Sequence, residues 1–228
     1  MTRRVASFYP QRVNLWFDKA VIGGFGADGS PDIAVMDLGA PATRDVDGLL
    51  VAQDMTTAGT TSTFAAAYLG TEAQMGKYGR NIVVDASGAS TALVRVQGRD
   101  YLGQPMTETL TLNGTAAVQG IKAFRFVDVI GWNAEAGVNL TVGWDNSLGV
   151  PYRCLEMISE IKNNTVAANA GALTAGLAVT STAGATNADP RGLYTPSTAL
   201  PNGSTTFVIR CVVDKSYLLG VQHYFTAL

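Results

Sequence analysis

Apolar and polar residues alternate along the chain in short runs that end at turn residues. The clearest alternation covers residues 92–97 and 106–112, with a turn over 100–105 between them. A period of two residues is that of a β-strand with one buried face. We therefore predict two strands here, followed by a hairpin turn at Asn113-Gly114, since both of these residues tolerate a positive φ.

Similar short runs recur over most of the remaining sequence, and no long segment keeps a helical period of 3.6 residues. Turn residues are expected to reverse the chain over 145–151, and a loop rich in Pro, Gly and Asn covers 190–203. Many short strands with regular turns indicate an antiparallel β-sandwich, here jelly-roll-like, in an all-β protein. Further strands are predicted at 49–52, 82–84, 123–130, 138–144, 152–158, 172–181 and 206–213.

The first part of the chain does not share this pattern. Large apolar and aromatic residues lie at irregular spacing there, and a glycine-rich run over 23–31 interrupts them. We predict an extended N-terminal arm over 1–36 and a β-sandwich domain over 37–228. An irregular lid over the core of its own domain is the alternative for the first segment.

Few residues carry charge. Charged side chains make up 15% of the chain and the net charge is −2, whereas an ordinary soluble domain has roughly 25% charged residues. This balance excludes the broad cationic field of a nucleic-acid or membrane-surface binder. No stretch is apolar enough for a signal peptide or a membrane span, so we expect no nucleic-acid and no membrane partner. A surface with so few charges favours assembly, as a homotrimer or a homodimer.

No arrangement of residues indicates catalysis, a cofactor or a metal. His223 is the single histidine, and no G-x-S-x-G motif accompanies it. The sequence over 24–29 matches G-x-G-x-x-G, but Ser30-Pro31 follows where a dinucleotide-binding helix would begin. The acidic run over 45–48 lacks the remaining ligands of a calcium loop. We therefore predict a protein that is not an enzyme and needs no cofactor.

Two buried polar or thiol positions are expected from the pattern. Cys211 alternates with apolar residues, which favours a buried free thiol over a bridge to Cys154. Glu108 falls on the apolar face of its predicted strand, so it must pair, lie at the end of the sheet or belong to a bulge. Arg95 and Arg99, on the preceding strand, are its predicted partners.

Three parts of the chain resemble a known group of proteins. The stretch 94–109, closed by Asn113-Gly114-Thr115 and Lys122-Ala123-Phe124, is similar to tailed-bacteriophage virion structural proteins, most of all to capsid decoration (cement) proteins. The stretches 142–152 and 189–196 look similar to the same proteins. These are motifs of strands and turns, without a catalytic signature.

The resemblance implies a β-sandwich that self-associates and binds the outside of the major capsid protein lattice, where it stabilises the expanded head. It also implies a location on the capsid surface after assembly in the host cytoplasm. Another virion component, such as a head-tail joining, tail or head-fibre base protein, is the alternative, and a carbohydrate-binding module with Trp132 and Trp144 is a further one. Aromatic side chains give a large contact area at low entropic cost, and basic ones complement acidic patches. The expected anchors of the arm on its partner are Arg3, Arg4, Phe8, Tyr9, Arg12, Trp16 and Phe17.

Overall fold

The computed structural model describes residues 32–168, 170–176 and 188–213. These residues form fourteen strands and one short helix, and none of their helices is long and apolar enough to cross a membrane. The elements are β1 (Asp32–Gly39), β2 (Asp45–Asp54), β3 (Gly59–Thr61), α1 (Glu72–Met75), β4 (Arg80–Ala86), β5 (Leu93–Arg99), β6 (Pro105–Thr111), β7 (Val118–Phe124), β8 (Phe126–Trp132), β9 (Asn139–Gly149), β10 (Cys154–Lys162), β11 (Thr165–Val166), β12 (Ala172–Ala175), β13 (Gly192–Thr195) and β14 (Phe207–Val213).

The strands form three sheets, and every pairing between them is antiparallel. Sheet A has the order β1-β14-β10-β11. Sheet B has the order β12-β13-β9-β4-β7, and β2 pairs with β9 as well. Sheet C has the order β3-β8-β5-β6. The prediction of an all-β, antiparallel sandwich is confirmed.

Two apolar cores hold the sheets together. The larger core lies between sheets B and C and includes Val94, Ile130 and Val142. The smaller core lies between sheet A and the far end of sheet B, and includes Ile209 and Leu148. Strand β9 contributes to both cores, because its first half faces the larger core and its last residues face the smaller one.

The predicted boundary between arm and domain, at residue 36, falls inside β1. Residues 32–36 belong to sheet A, where Asp32 pairs with Val213 and Met36 pairs with Ile209. Residues 32–36 form a strand because they pair with β14, which is far away in the sequence. The local pattern of apolar and polar residues therefore did not predict this strand. Residues 1–31, which contain the rest of the predicted arm, lie outside the described residues.

Two segments predicted as turn or loop contain strands instead. Strand β9 continues to Gly149 through the predicted turn, because Asp145 is buried in an ion pair with Arg44 at 2.6 Å and its carbonyl accepts a hydrogen bond from Arg80 Nε. Strand β13 occupies part of the predicted loop over 190–203 and pairs with both β12 and β9. In both places the strand is held by partners that are distant in the sequence.

Two expected connections are also different. The Asn113-Gly114 turn is present, with Gly114 at φ +64°, but the chain makes one isolated bridge there, between Asn113 and Ala116. The strands on either side, β6 and β7, belong to different sheets. The predicted single strand over 123–130 is divided at Arg125 into the end of β7 and the start of β8, where the chain passes from sheet B to sheet C.

Candidate interaction face and buried ionic cluster

The predicted anchors cannot be placed, because all of them lie outside the described residues. The same holds for the G-x-G-x-x-G motif over 24–29 and for His223. The anchors concerned are Arg3, Arg4, Phe8, Tyr9, Arg12, Trp16 and Phe17.

A buried ionic cluster connects the turn after β5 with the segment before β13. Arg191 Nη1 lies 3.0 Å from Asp100 Oδ2, and Arg191 Nε lies 3.5 Å from Asp189 Oδ1. The guanidinium also stacks over the ring of Tyr101, 5.0 Å from its centroid. Tyr101 in turn donates its hydroxyl to the carbonyl of Pro151 at 2.8 Å. The exposed fractions of the Asp100, Asp189 and Arg191 side chains are 1% or less, so these charges are stabilised by one another and by nearby dipoles.

Glu108 and Lys122 extend this cluster between sheets C and B. Glu108 Oε1 accepts the amide of Ile121 at 2.5 Å, and Lys122 Nζ donates to the carbonyl of Thr107 at 2.8 Å. A Cβ at Gly120 would lie 2.6 Å from Glu108 Oε2, so glycine is required for this close approach. Burial raises the pKa of Glu108 to about 7 and lowers the pKa of Lys122 to about 8.

The predicted partners of Glu108 were wrong. Arg99 pairs with Asp128 at 2.9 Å on the outside of sheet C, and Arg95 is exposed on the same side of β5. Side chains of a strand alternate between faces, and both arginines point away from the face that carries Glu108. The neighbour of Glu108 is instead Lys122, from a strand of the other sheet.

The ionic cluster contains residues from the stretches that were compared with virion proteins above. Asp100 and Glu108 belong to the first motif, Lys122 closes it, and Asp189 and Arg191 begin the last one. Three segments that are distant in the sequence therefore meet at one place in the fold, together with Pro151 from the remaining motif. Since its members are buried, the cluster positions the sheets relative to each other.

A second buried carboxylate belongs to the smaller core. Glu160 Oε1 accepts the hydroxyl of Tyr194 and lies 3.0 Å from Lys162 Nζ. Glu160 Oε2 accepts Ser197 Oγ at 2.9 Å and the amide of Gly171 at 2.7 Å. Burial raises the pKa of Glu160, but these donors outweigh it and leave that pKa below its usual value.

The two cysteines lie next to each other in the same core. Both are free and buried, which confirms the prediction of a buried free thiol at Cys211. A hydrogen bond with Cys211, together with burial, raises the pKa of the Cys154 thiol. Cys154 is therefore kept as a thiol rather than a thiolate.

The tryptophans proposed for sugar binding are core residues. Trp132 and Trp144 are 9% and 3% exposed. Their indole N–H groups donate to the carbonyls of Thr57 and Thr43, each at 3.0 Å. Neither ring is available to stack on a sugar. Within the residues that the structure describes, no group of three or more side chains is arranged to hold a metal ion.

The outward side of sheet A carries many aliphatic side chains, several of them largely exposed. Its side chains form three rows across the strands: Ile33-Val212-Glu156, Val35-Arg210-Ser159 and Asp37-Val208-Ile161-Val166. Ile158 lies at a bulge of the same face and is 49% exposed. We call these residues the aliphatic face. The sequence did not reveal it, because the rows exist only once β1, β14, β10 and β11 are paired.

No protein-family model, no curated protein and no solved structure matches this chain.

Proposed function

We propose that this protein is a bacteriophage capsid decoration protein that binds the outside of the major capsid protein lattice and stabilises the expanded head. The observation that carries the proposal is the convergence of the resembling motifs on one buried ionic cluster. The resembling stretches are far apart in the sequence, so their residues share one site only in the folded chain. Asp100, Glu108, Lys122 and Arg191 meet in this way.

The chemistry of the surface supports the same function. Charged residues are few, and the aliphatic face leaves large side chains in water, with Val35 and Val166 each 63% exposed. Exposed apolar patches of this kind are typical of surfaces that a partner covers. A decoration protein is covered by its neighbours on the shell, so a low charge does not harm its solubility there.

The mechanism is linkage between binding and the state of the shell. A protein that binds the expanded lattice but not the precursor lattice stabilises the expanded state by mass action. At a free concentration of one hundred times its Kd, each bound site contributes about 2.7 kcal/mol. Many such sites lie at the joints between capsomers. Together they raise the free energy needed to disrupt the shell, and no chemical reaction is involved.

The heat stability of expanded shells that lack the protein tests this function. Added protein should raise the temperature at which the shells release their contents, and the rise should saturate. The variant with Trp16→Ala and Phe17→Ala should lose most of this effect, because it lacks two predicted anchors, whereas Leu69→Ala should keep it. Leu69 is a suitable control since it is exposed at 75% and is not one of the predicted anchors. Unchanged shell stability at saturating protein would contradict the proposal.

A further inference from the structure

We propose that the aliphatic face of sheet A is an interface between two copies of this chain, related by a two-fold axis. The proposal specifies the self-association expected of the proposed function, but it concerns the purified protein and does not need the shell.

Apolar side chains lie on both sides of sheet A. The inward side contains Met36, Ile209 and Cys211, which are at most 2% exposed and form the smaller core. An antiparallel sheet with one side in water normally has polar residues on that side. Here the outward side has aliphatic residues in all three rows and on all four strands. The members are Ile33, Val35, Val208, Val212, Ile158, Ile161 and Val166.

The aliphatic face also carries one basic and two acidic side chains. Arg210 lies in the middle row, and Glu156 lies in the next row on the neighbouring strand. Both are exposed, and neither forms an ion pair within the described part of the chain. The third charged residue, Asp37, is already paired with Lys77 at 3.3 Å near the rim.

These two features together favour a second copy as the occupant. In a two-fold contact the same patch faces itself, so a residue of one copy meets a different residue of the other, and the contact occurs twice. A patch that carries one unpaired cation and one unpaired anion within an aliphatic surface is complementary to itself. Arg210 of each copy can then pair with Glu156 of the other, and the valine and isoleucine side chains pack between the two sheets.

Sedimentation equilibrium of the full chain over a range of concentrations tests the interface. The wild-type protein should reach twice the 23.9 kDa mass of the chain. Arg210→Glu and Glu156→Arg should each weaken dimerisation at least about tenfold, because each places like charges opposite each other. Arg95→Glu is the matched control, since Arg95 is an exposed arginine on a strand of sheet C, and it should leave the dimer unchanged.

Mixing the two weakened variants gives the sharper result. The Arg210→Glu variant carries only anions at the two positions, and the Glu156→Arg variant carries only cations. An equimolar mixture should therefore form heterodimers at concentrations where each variant alone is monomeric. Circular dichroism and urea unfolding should show that both variants fold like the wild type, as expected for changes at exposed strand positions.

A substitution in the aliphatic part of the face provides a second, independent test. Val35→Asp should abolish dimerisation, whereas Val51→Asp should not, since Val51 is exposed to a similar degree, 58%, on β2. A wild-type protein that stays monomeric would overturn the proposal, as would a dimer that these variants do not weaken.

Hydrogen exchange identifies the other possible occupants, each of which would also overturn the proposal. Protection of β1 and β14 in a monomer, lost when residues 1–31 are removed, would identify that segment as the occupant. Protection that is gained only on adding expanded shells would identify the capsid protein. Protection that appears only with the shells would contradict the two-fold interface and still agree with the proposed function.

Discussion

Titration of Glu108 provides a quantitative test of the buried ionic cluster. The side chain is 2% exposed, and its pKa is raised from 4.5 to about 7, mainly by burial. The folded state therefore binds this proton more tightly than the unfolded chain. This contribution stabilises the folded state at low pH and is lost as the pH rises from about 4.5 through about 7.

The magnitude follows from the two pKa values. A shift of about 2.5 units corresponds to roughly 3 kcal/mol over the whole range, and about 2 kcal/mol of it falls between about pH 5 and about pH 7.5. In Glu108→Gln the side chain is neutral at every pH, and its amide oxygen can still accept the Ile121 amide. The variant should therefore lack this part of the pH dependence.

Urea unfolding followed by tryptophan fluorescence measures the effect. Between about pH 5 and about pH 7.5, the free energy of unfolding of the wild type should fall by about 2 kcal/mol more than that of Glu108→Gln. Glu72→Gln, at an exposed carboxylate, should behave like the wild type. An identical pH dependence in the wild type and Glu108→Gln would show that Glu108 titrates normally and would refute the reasoning.

Three substitutions test other parts of the fold by the same unfolding assay. Glu160→Ala removes the acceptor of four donors and should lower the free energy of unfolding by about 3 kcal/mol near neutral pH. Arg191→Met leaves buried carboxylates without their cation and should cost about 3 kcal/mol as well, and a loss below 1 kcal/mol would contradict the cluster. Gly143→Ala places a Cβ 1.9 Å from the carbonyl of Asp45 and should cost at least about 2 kcal/mol, whereas Gly88→Ala meets ordinary contacts and should change little.

The strands predicted best are those whose alternation comes from one buried face. β5, β6 and β14 follow their predicted ranges closely, because each has buried residues at every second position. β9 was cut short in the prediction, since the residues after Trp144 look like a turn until Arg44 and Arg80 are placed beside Asp145. Local sequence does not contain those partners.

The candidate sites also divide into what the local pattern predicts and what depends on distant residues. The pattern identified Glu108 as a buried carboxylate but not its environment, because Lys122 and Asp189 come from other parts of the fold. The aliphatic face was not predicted at all. Its rows combine β1 with β14 and β10, and β1 is more than one hundred residues away from both of these strands in the chain. Only the pairing of the strands brings these side chains onto one surface.

The most direct test of the proposed function is the number of copies that bind to one expanded shell. Purified protein would be mixed with shells that lack it, and the bound copies would be counted against the major capsid subunit after co-sedimentation. Binding should saturate at the number of capsid subunits or at a simple fraction of it. No binding, or only enough copies to occupy the vertices or the tail junction, would contradict it.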